Sequence, residues 1–313
     1  MALKVIHGWH DLGSDQRGAA LAFGNFDGVH KGHQQVIAAA AKVARDLDAP
    51  FAVSSFEPHP RRWFQPGAEP FRLMTLDQQA RALDALGVDR FYVLPFDAEM
   101  AGMSDEAFAR RVLAEGLGVR HVAVGFDVTF GKDRTGDPAT LARYGERLGF
   151  SVSVTDQIGD GATGKYSSSA VREALQAGDP LRAADILGRP FAIEGVVDRG
   201  QQLGRTLGFP TLNIALGDYL VPKLGVYATR TRLPDGRALA GAANLGRNPT
   251  TGLVATRLEV FLFDFDEEIY GQRVETDLVE FLRPELTFDS LDALVVQMNK
   301  DAATARNLLA APT

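Results

Sequence analysis

The 313-residue chain contains no cysteine, which excludes disulfides and thiolate metal sites. It has no run approaching the ~18 consecutive apolar residues needed to span a bilayer. Residues 1–15 hold histidine, tryptophan and aspartate and lack the apolar core of a signal peptide. These absences fit a cytoplasmic protein with no membrane role. Excess basic charge is missing too: 33 Lys and Arg against 40 Asp and Glu leave a net charge of −7. That argues against a nucleic-acid binder, but not against small nucleotides, which need only a local positive site. The chain shows neither an internal repeat nor a low-complexity segment. Its length suggests two domains, and 45% apolar residues can fill two cores.

The first part alternates strand-like segments (19–23, 51–56, 90–94, 121–124, 152–154) with helix-like ones (76–86, 104–117), and Ser104 and Asp105 are cap candidates. Such alternation argues for a parallel sheet. After Asp179-Pro180 the pattern changes. A short helix over 181–187 gives way to strands at 191–197, 225–233, 238–244 and 257–265, with a Pro234-Asp235-Gly236 turn. That pattern suggests an antiparallel barrel or sandwich. A last helix follows Asp289-Ser290, with Leu291, Leu294, Val295 and Met298 on one face. The boundary is placed near 187, giving domains 1–186 and 187–313.

Gly24-Asn25-Phe26-Asp27-Gly28-Val29-His30-Lys31-Gly32-His33 is the most informative stretch. It lies between a buried strand and a helix marked by Val36, Ile37, Ala40, Val43, Ala44 and Leu47. The first N–H groups of a helix lack internal partners and carry the positive end of its dipole. Glycines there let a phosphate approach the backbone, and histidines can donate to its oxygens as charge moves. The plain alternative is a turn with two solvated histidines.

A second glycine run, Gly159-Asp160-Gly161-Ala162-Thr163-Gly164-Lys165, satisfies the dinucleotide pattern G-x-G-x-x-G and nearly satisfies the P-loop pattern. The P-loop reading fails because Tyr166 stands where a short hydroxyl should follow the lysine. The dinucleotide reading needs an acid about 20 residues on after a strand, and Asp179 sits in a turn instead. The better reading uses the residues immediately downstream. Ser167-Ser168-Ser169-Ala170-Val171-Arg172 opens a helix with hydroxyls and sets an arginine one turn in, suited to phosphate. By itself it also reads as a serine cap with a solvated arginine.

The second domain carries Gly204-Arg205-Thr206-Leu207-Gly208-Phe209-Pro210-Thr211-Leu212-Asn213, a glycine-spaced loop. Thr211 and Asn213 offer hard oxygens suited to Mg²⁺ beside phosphates; the alternative is a turn with a structural proline. On the strand around Thr256–Phe265, Leu258, Val260 and Leu262 share one face, while Glu259 shares the other with Phe261 and Phe263. A carboxylate beside phenylalanines is costly unless partnered or raised in pKa, and a raised pKa suits a general base. The alternative is an edge-strand glutamate facing water.

Taken together, these motifs resemble the prokaryotic bifunctional riboflavin kinase/FAD synthetase family from about Leu21 to Asp301. Gly24–His33 resembles the HxGH signature of nucleotidylyltransferases. Ser167–Arg172 resembles an S-S-T-x-x-R element, with Ser169 for threonine and Lys165 as an upstream basic residue. Gly125–Gly131 resembles G-x-D-F-x-F-G, with Val128 for phenylalanine. Pro210–Asn213 resembles the riboflavin kinase P-T-A-N motif, with Leu212 for alanine. Gly225-Val226-Tyr227, Asn244–Thr250, Tyr270-Gly271 and Leu282–Glu285 also match.

The resemblance implies an α/β nucleotidylyltransferase domain (Rossmann-like, parallel sheet) followed by a small Greek-key β-barrel riboflavin kinase domain. It implies phosphorylation of riboflavin by ATP to FMN and ADP, then adenylylation of FMN to FAD with release of pyrophosphate. Glu259 is the implied kinase base, with Thr211 and Asn213 on Mg²⁺ and Gly204 to Gly208 over the phosphates. His30, His33 and Arg172 are implied at the adenylyl transfer, with Gly24, Asn25, Phe26, Asp27, Gly32, Lys165, Ser167 and Ser168 around the nucleotide. Asp127 would orient nucleotide or flavin, unless it is only a strand-end turn residue. Phe56, His59, Asn244 and Arg283 are implied flavin contacts. Three other expectations stay open: an enzyme with one working step, a flavin- or nucleotide-binding regulatory module without turnover, and a related adenylyltransferase for another phosphate ester.

Overall fold

The computed structural model describes residues 2–156, 159, 165–199, 209–247 and 256–310. The chain divides into two compact units, residues 1–68 with 76–166, and residues 69–75 with 167–313.

The first unit contains β1 (Lys4–His7), β2 (Ala20–Ala22), α1 (Lys31–Asp46), β3 (Phe51–Glu57), α2 (Pro60–Phe64), α3 (Leu76–Ala85), β4 (Arg90–Pro95), α4 (Ala98–Gly102), α5 (Asp105–Ala107, continued as a π-helix over Phe108–Gly116), β5 (His121–Gly125), α6 (Pro138–Leu148) and β6 (Ser151–Thr155). The six strands pair in parallel in the order β1-β4-β3-β2-β5-β6. The central strands are short apolar runs because both faces are covered: Ala20, Leu21, Ala22, Val122, Ala123 and Val124 are all fully buried. Helix α1 buries Val36, Ile37, Ala40 and Ala44, the face its 3.6-residue spacing predicts. Ser104 caps α5, accepting from Ala107 N at 3.1 Å. The expected helix over 104–117 thus forms, but mostly in the π form.

From β2 the chain moves to β3 on one side, while β5 lies on the other. The strand order therefore reverses between β2 and β5, and ligands of such sheets bind outside the carboxyl ends of the strands at that point. Parallel pairing turns the carboxyl ends of β2, β3 and β5 to one edge.

The second unit contains α7 (Ser168–Ala177), α8 (Pro180–Leu187), β7 (Phe191–Asp198), β8 (Thr211–Ala215), β9 (Gly225–Arg232), β10 (Ala238–Arg247), β11 (Thr256–Leu262), β12 (Arg273–Arg283) and α9 (Leu291–Ala310). Its strands close into an antiparallel barrel, β10-β11-β8-β7-β12-β9. Strands β9, β10 and β11 are neighbours in sequence order and β12 lies beside β9, which is a Greek key. Leu258, Val260, Ile193, Ile214 and Leu245 fill the core. Helix α9 packs on β9, β10 and β12, and Ser290 Oγ accepts from Ala293 N at its start.

Three strands were not expected. β1 adds an edge to the sheet, β12 supplies the longest strand of the barrel, and β8 replaces the loop read at Pro210–Asn213. β8 is a strand because Leu212 and Ile214 alternate into the barrel. Segment 69–75 also packs with the second unit. Arg72 bridges to Tyr219, with Arg72 N donating to Asp218 O at 3.0 Å and Leu220 N to Arg72 O at 2.8 Å. Phe71, Leu73 and Met74 are buried.

Candidate active sites

In the first unit, the loop after β2 carries Gly24 to His30 and leads straight into α1. His30 is the N-cap, and its Nδ1 accepts from His33 N at 3.2 Å. An imidazole that accepts at Nδ1 carries its neutral-form proton on Nε2. The cap therefore sets His30, which is 5% exposed, as a donor at Nε2. The His33 ring stacks on His30 at 3.5 Å between centroids, and Phe26 meets His33 edge-on at 5.1 Å. Phe26 itself holds a left-handed φ of +49°, as does Val29 at +44°. Gly24 lies close beside it: a Cβ there would sit 3.2 Å from the Phe26 ring, so the ring would have to shift slightly. Asn25 O accepts from Ser55 Oγ at 2.9 Å and from Gln79 Nε2 at 2.8 Å. Asn25 Oδ1 is buried with no hydrogen-bond partner among the described residues, an acceptor open to a ligand donor. Asp27 is buried in the same turn.

At the end of β3, His59 caps α2 by accepting from Arg61 N at 3.1 Å. Phe56 packs against Phe23, Phe96 and Phe108 at 5.4–6.3 Å, so its ring belongs largely to the apolar core. The exposed aromatic residues there are Trp63 and Phe64, both edge-on to Phe96. The sequence reading missed them; large exposed rings at the carboxyl edge of the sheet are the signal that finds them. After β5, Asp127 is exposed in a turn closed by Val128 N to Gly125 O. Val128 packs on the core cluster. Lys165 Nζ lies 5.9 Å from the centre of the Phe126 ring. Of the second glycine run only Gly159 and Lys165 are described, and they form an antiparallel bridge.

Ser167, Ser168 and Arg172 lie in the second unit. Ser167 caps α7, its Oγ accepting from Ala170 N at 3.2 Å. Ser168 opens the helix. Arg172 Nε donates to Phe71 O at 2.9 Å, and its guanidinium lies over the Phe71 ring at 5.7 Å.

The barrel holds the second site. Glu259 sits on β11 between β8 and β10, paired in register with Asn213 on one side and Asn244 on the other. The barrel is closed, so this is no edge strand. The three side chains form one row on the outward face, with Thr211, Phe261 and Ala242 as the next row. Burial raises the Glu259 carboxyl above the usual carboxylate range, against the smaller pull of Arg257. A cavity of 420 Å³ opens on these rows, and its walls include Phe209, Phe261, Phe288, Leu294 and Met298. Phe209 and Phe261 meet edge-on at 4.9 Å. Arg283 lines the cavity too, but its guanidinium grips Asp301, with contacts of 2.7–3.0 Å. The sequence reading gives Asp301 no place in the site. Thr211 and Asn213 border a second cavity of 270 Å³ beside the 265–270 loop. Asn213 is buried, and its Nδ2 donates to Thr211 O at 3.5 Å. Gly204 and Gly208 lie outside the described residues.

A family model described as FAD synthetase matches residues 12–170, and one described as riboflavin kinase matches residues 187–309. A bifunctional riboflavin kinase/FMN adenylyltransferase from Haemophilus influenzae is 40% identical over 304 residues, covering 97% of this chain and 98% of its own. Its counterpart from Pseudomonas fluorescens is 42% identical over 313 residues, covering 99% of each. A solved structure described as a macrolide-efflux protein from Streptococcus pneumoniae shares the fold with a TM-score of 0.86 and 30% identity, covering 98% of this chain and 99% of that one. Among the described residues no helix is long and apolar enough to cross a membrane. With two family models that together span most of the chain and relatives that match it nearly end to end, the chain belongs to the bifunctional riboflavin kinase/FMN adenylyltransferase family.

Proposed function

We propose that the chain makes FAD in two steps, phosphorylating riboflavin with ATP to FMN and ADP and then adenylylating FMN with a second ATP, releasing pyrophosphate. Residues 187–313 carry the first step and residues 1–186 the second. In the first, Glu259 takes the proton of the ribityl 5′-hydroxyl as that oxygen attacks the γ-phosphorus of ATP. Its raised pKa makes it a stronger base than an exposed carboxylate. Asn244 and Arg283, with the aromatic walls, hold the flavin. Thr211 and Asn213 fit Mg²⁺, since they offer neutral hard oxygens on one strand face and leave the remaining positions to phosphates and water. The ion would neutralise phosphate charge there. Gly204 to Gly208 cover the phosphates.

In the second step an FMN phosphate oxygen attacks the α-phosphorus of ATP, and the bond to pyrophosphate breaks. His30 through Nε2–H, His33 and Arg172 stabilise the charge on the transferring group. Gly24, Asn25, Phe26, Asp27, Gly32, Asp127, Lys165, Ser167 and Ser168 contact the nucleotide, and Phe56 and His59 border the flavin. No covalent intermediate is required. We place the enzyme in the cytoplasm.

The observation that carries this reading is Glu259, a half-buried carboxylate in register between two asparagines and lining a cavity of 420 Å³. Glu259→Gln keeps the shape and removes the base. FMN formation from riboflavin should fall by ~10²–10⁴-fold, while FAD formation from supplied FMN should persist. Equal loss of both activities refutes the division of labour.

A further inference from the structure

Asp301 is a carboxylate only 8% exposed in a mostly apolar cavity wall. Its oxygens accept from Arg283 Nε at 3.0 Å each and from Arg283 Nη2 at 2.7 Å. One turn earlier on α9, Gln297 Nε2 donates to Asp301 Oδ1 at 2.8 Å. Arg283 Nη1 donates to Pro284 O at 2.9 Å, and the guanidinium lies 5.9 Å from the Phe288 ring centre. The plane and direction of the guanidinium are thereby fixed. The far end of α9 is tied separately, by Arg306 to Asp264 and by Arg230 Nη2 to Leu309 O. The Arg283–Asp301 fork ties the stretch of helix that walls the cavity.

A half-buried ion pair is weak evidence for stability, because desolvation offsets much of its attraction. Its value here lies in orientation. We propose that Asp301 is the positioning residue of the flavin cavity, holding Arg283 in its wall for the bound flavin and seating α9 against the barrel. This rests on the reading of that cavity as the riboflavin site.

Asp301→Asn keeps the shape and removes the charge that Arg283 grips. In the full-length enzyme with riboflavin and Mg-ATP, the riboflavin KM should rise about tenfold or more. The kcat should stay within about threefold, and adenylylation of supplied FMN should be unchanged. In an Arg283→Gln background the Asp301 substitution should add nothing further. Gln297→Leu keeps the fork but loosens Asp301, so KM should rise roughly 2–10-fold. An unchanged KM in Asp301→Asn, or a loss confined to kcat, overturns the proposal. If Asp301→Asn does not fold, as shown by loss of adenylylation as well, an unchanged KM in Gln297→Leu overturns it. Intact FMN formation in Glu259→Gln would instead sink the reading of the cavity itself.

Discussion

Gly32→Ala separates catalysis from stability at the first site. A Cβ on Gly32 would lie 2.8 Å from Tyr166 O and 3.1 Å from His30 Cε1 and Nδ1. Ordinary contact begins near 3.4 Å, so the carbonyl must retreat by roughly 0.6 Å and the ring by roughly 0.3 Å. The ring that moves is the cap of α1. Loosening that cap costs about 0.5–2 kcal/mol. Alanine inside a helix gains about 0.8–1.0 kcal/mol over glycine, and Gly32 is the second residue of α1. The two terms partly offset, but the Tyr166 carbonyl is backbone and its displacement adds a cost, so the thermal midpoint should fall. The loss at the catalytic site should exceed what that fall explains. A donor displaced on this scale loses its alignment with the transferring group, and misplacement approaching 1 Å costs up to about 10²-fold. The assay is FAD formation from supplied FMN and ATP, with FMN formation from riboflavin measured on the same sample. A 10- to 100-fold loss (about that range) of the first with the second intact is expected. Adenylylation within threefold of the parent refutes the role of the His30 cap.

Three other outcomes rest on particular contacts. Phe71→Leu removes the ring beneath Arg172 and should slow adenylylation about 2–30-fold, the range of a cation–π contact; in an Arg172→Ala background it should do nothing more, and additive losses would refute the link. His121 is buried between Ser151 and Ser153, 2.7 and 2.9 Å from their hydroxyls, and burial lowers its pKa. Its neutral form is the folded one, so its stability contribution is complete above the unfolded value of about 6.5 and is lost as pH falls below it; urea midpoints of the parent and His121→Gln should therefore converge from pH 7 to pH 5, and parallel curves would refute this. Leu258→Ala empties a fully buried barrel position and should cost about 2–5 kcal/mol in denaturant titration, where a cost below about 1 kcal/mol would show that the barrel collapses onto the gap.

The parallel sheet and most of the barrel were legible because apolar periodicity reports burial directly. The His30 loop was legible because its residue types sit where a strand meets a helix. What escaped depends on contacts distant in sequence. Thr211–Ala215 follows a glycine run and a proline, which hide the alternation of Leu212 and Ile214 until β7 and β11 flank them. The π form of Phe108–Gly116 leaves the apolar spacing close to that of an α-helix. Segment 69–75 follows directly from the first unit in sequence, and contacts distant in sequence, among them its bridge to Tyr219 and the Arg172–Phe71 and Thr75–Glu194 hydrogen bonds, assign it to the second. Asp301 lies 18 residues from Arg283, outside any local motif.

Partners distinguish the carboxylates of the second unit better than burial does. Glu194 is buried and accepts from Arg273 Nη1 at 2.8 Å, with Thr75 Oγ1 at 3.4 Å. Asp301 is buried and gripped by Arg283 and Gln297. Glu259 is half-buried, and no hydrogen bond or ion pair to its carboxylate is found among the described residues; the charge of Arg257 acts on it only weakly. Arginine N–H groups occupy oxygens of Glu194 and Asp301. Burial raises the Glu259 carboxyl, and a raised carboxyl suits proton transfer. Strand alternation in the sequence singles out Glu259 as a carboxylate among phenylalanines, but it is silent on whether a cation lies beside it on the flanking strands. The register shows asparagines there instead. Neutral neighbours in register on both sides leave burial as the largest influence on the Glu259 carboxyl, which is what the proposed role of a base requires.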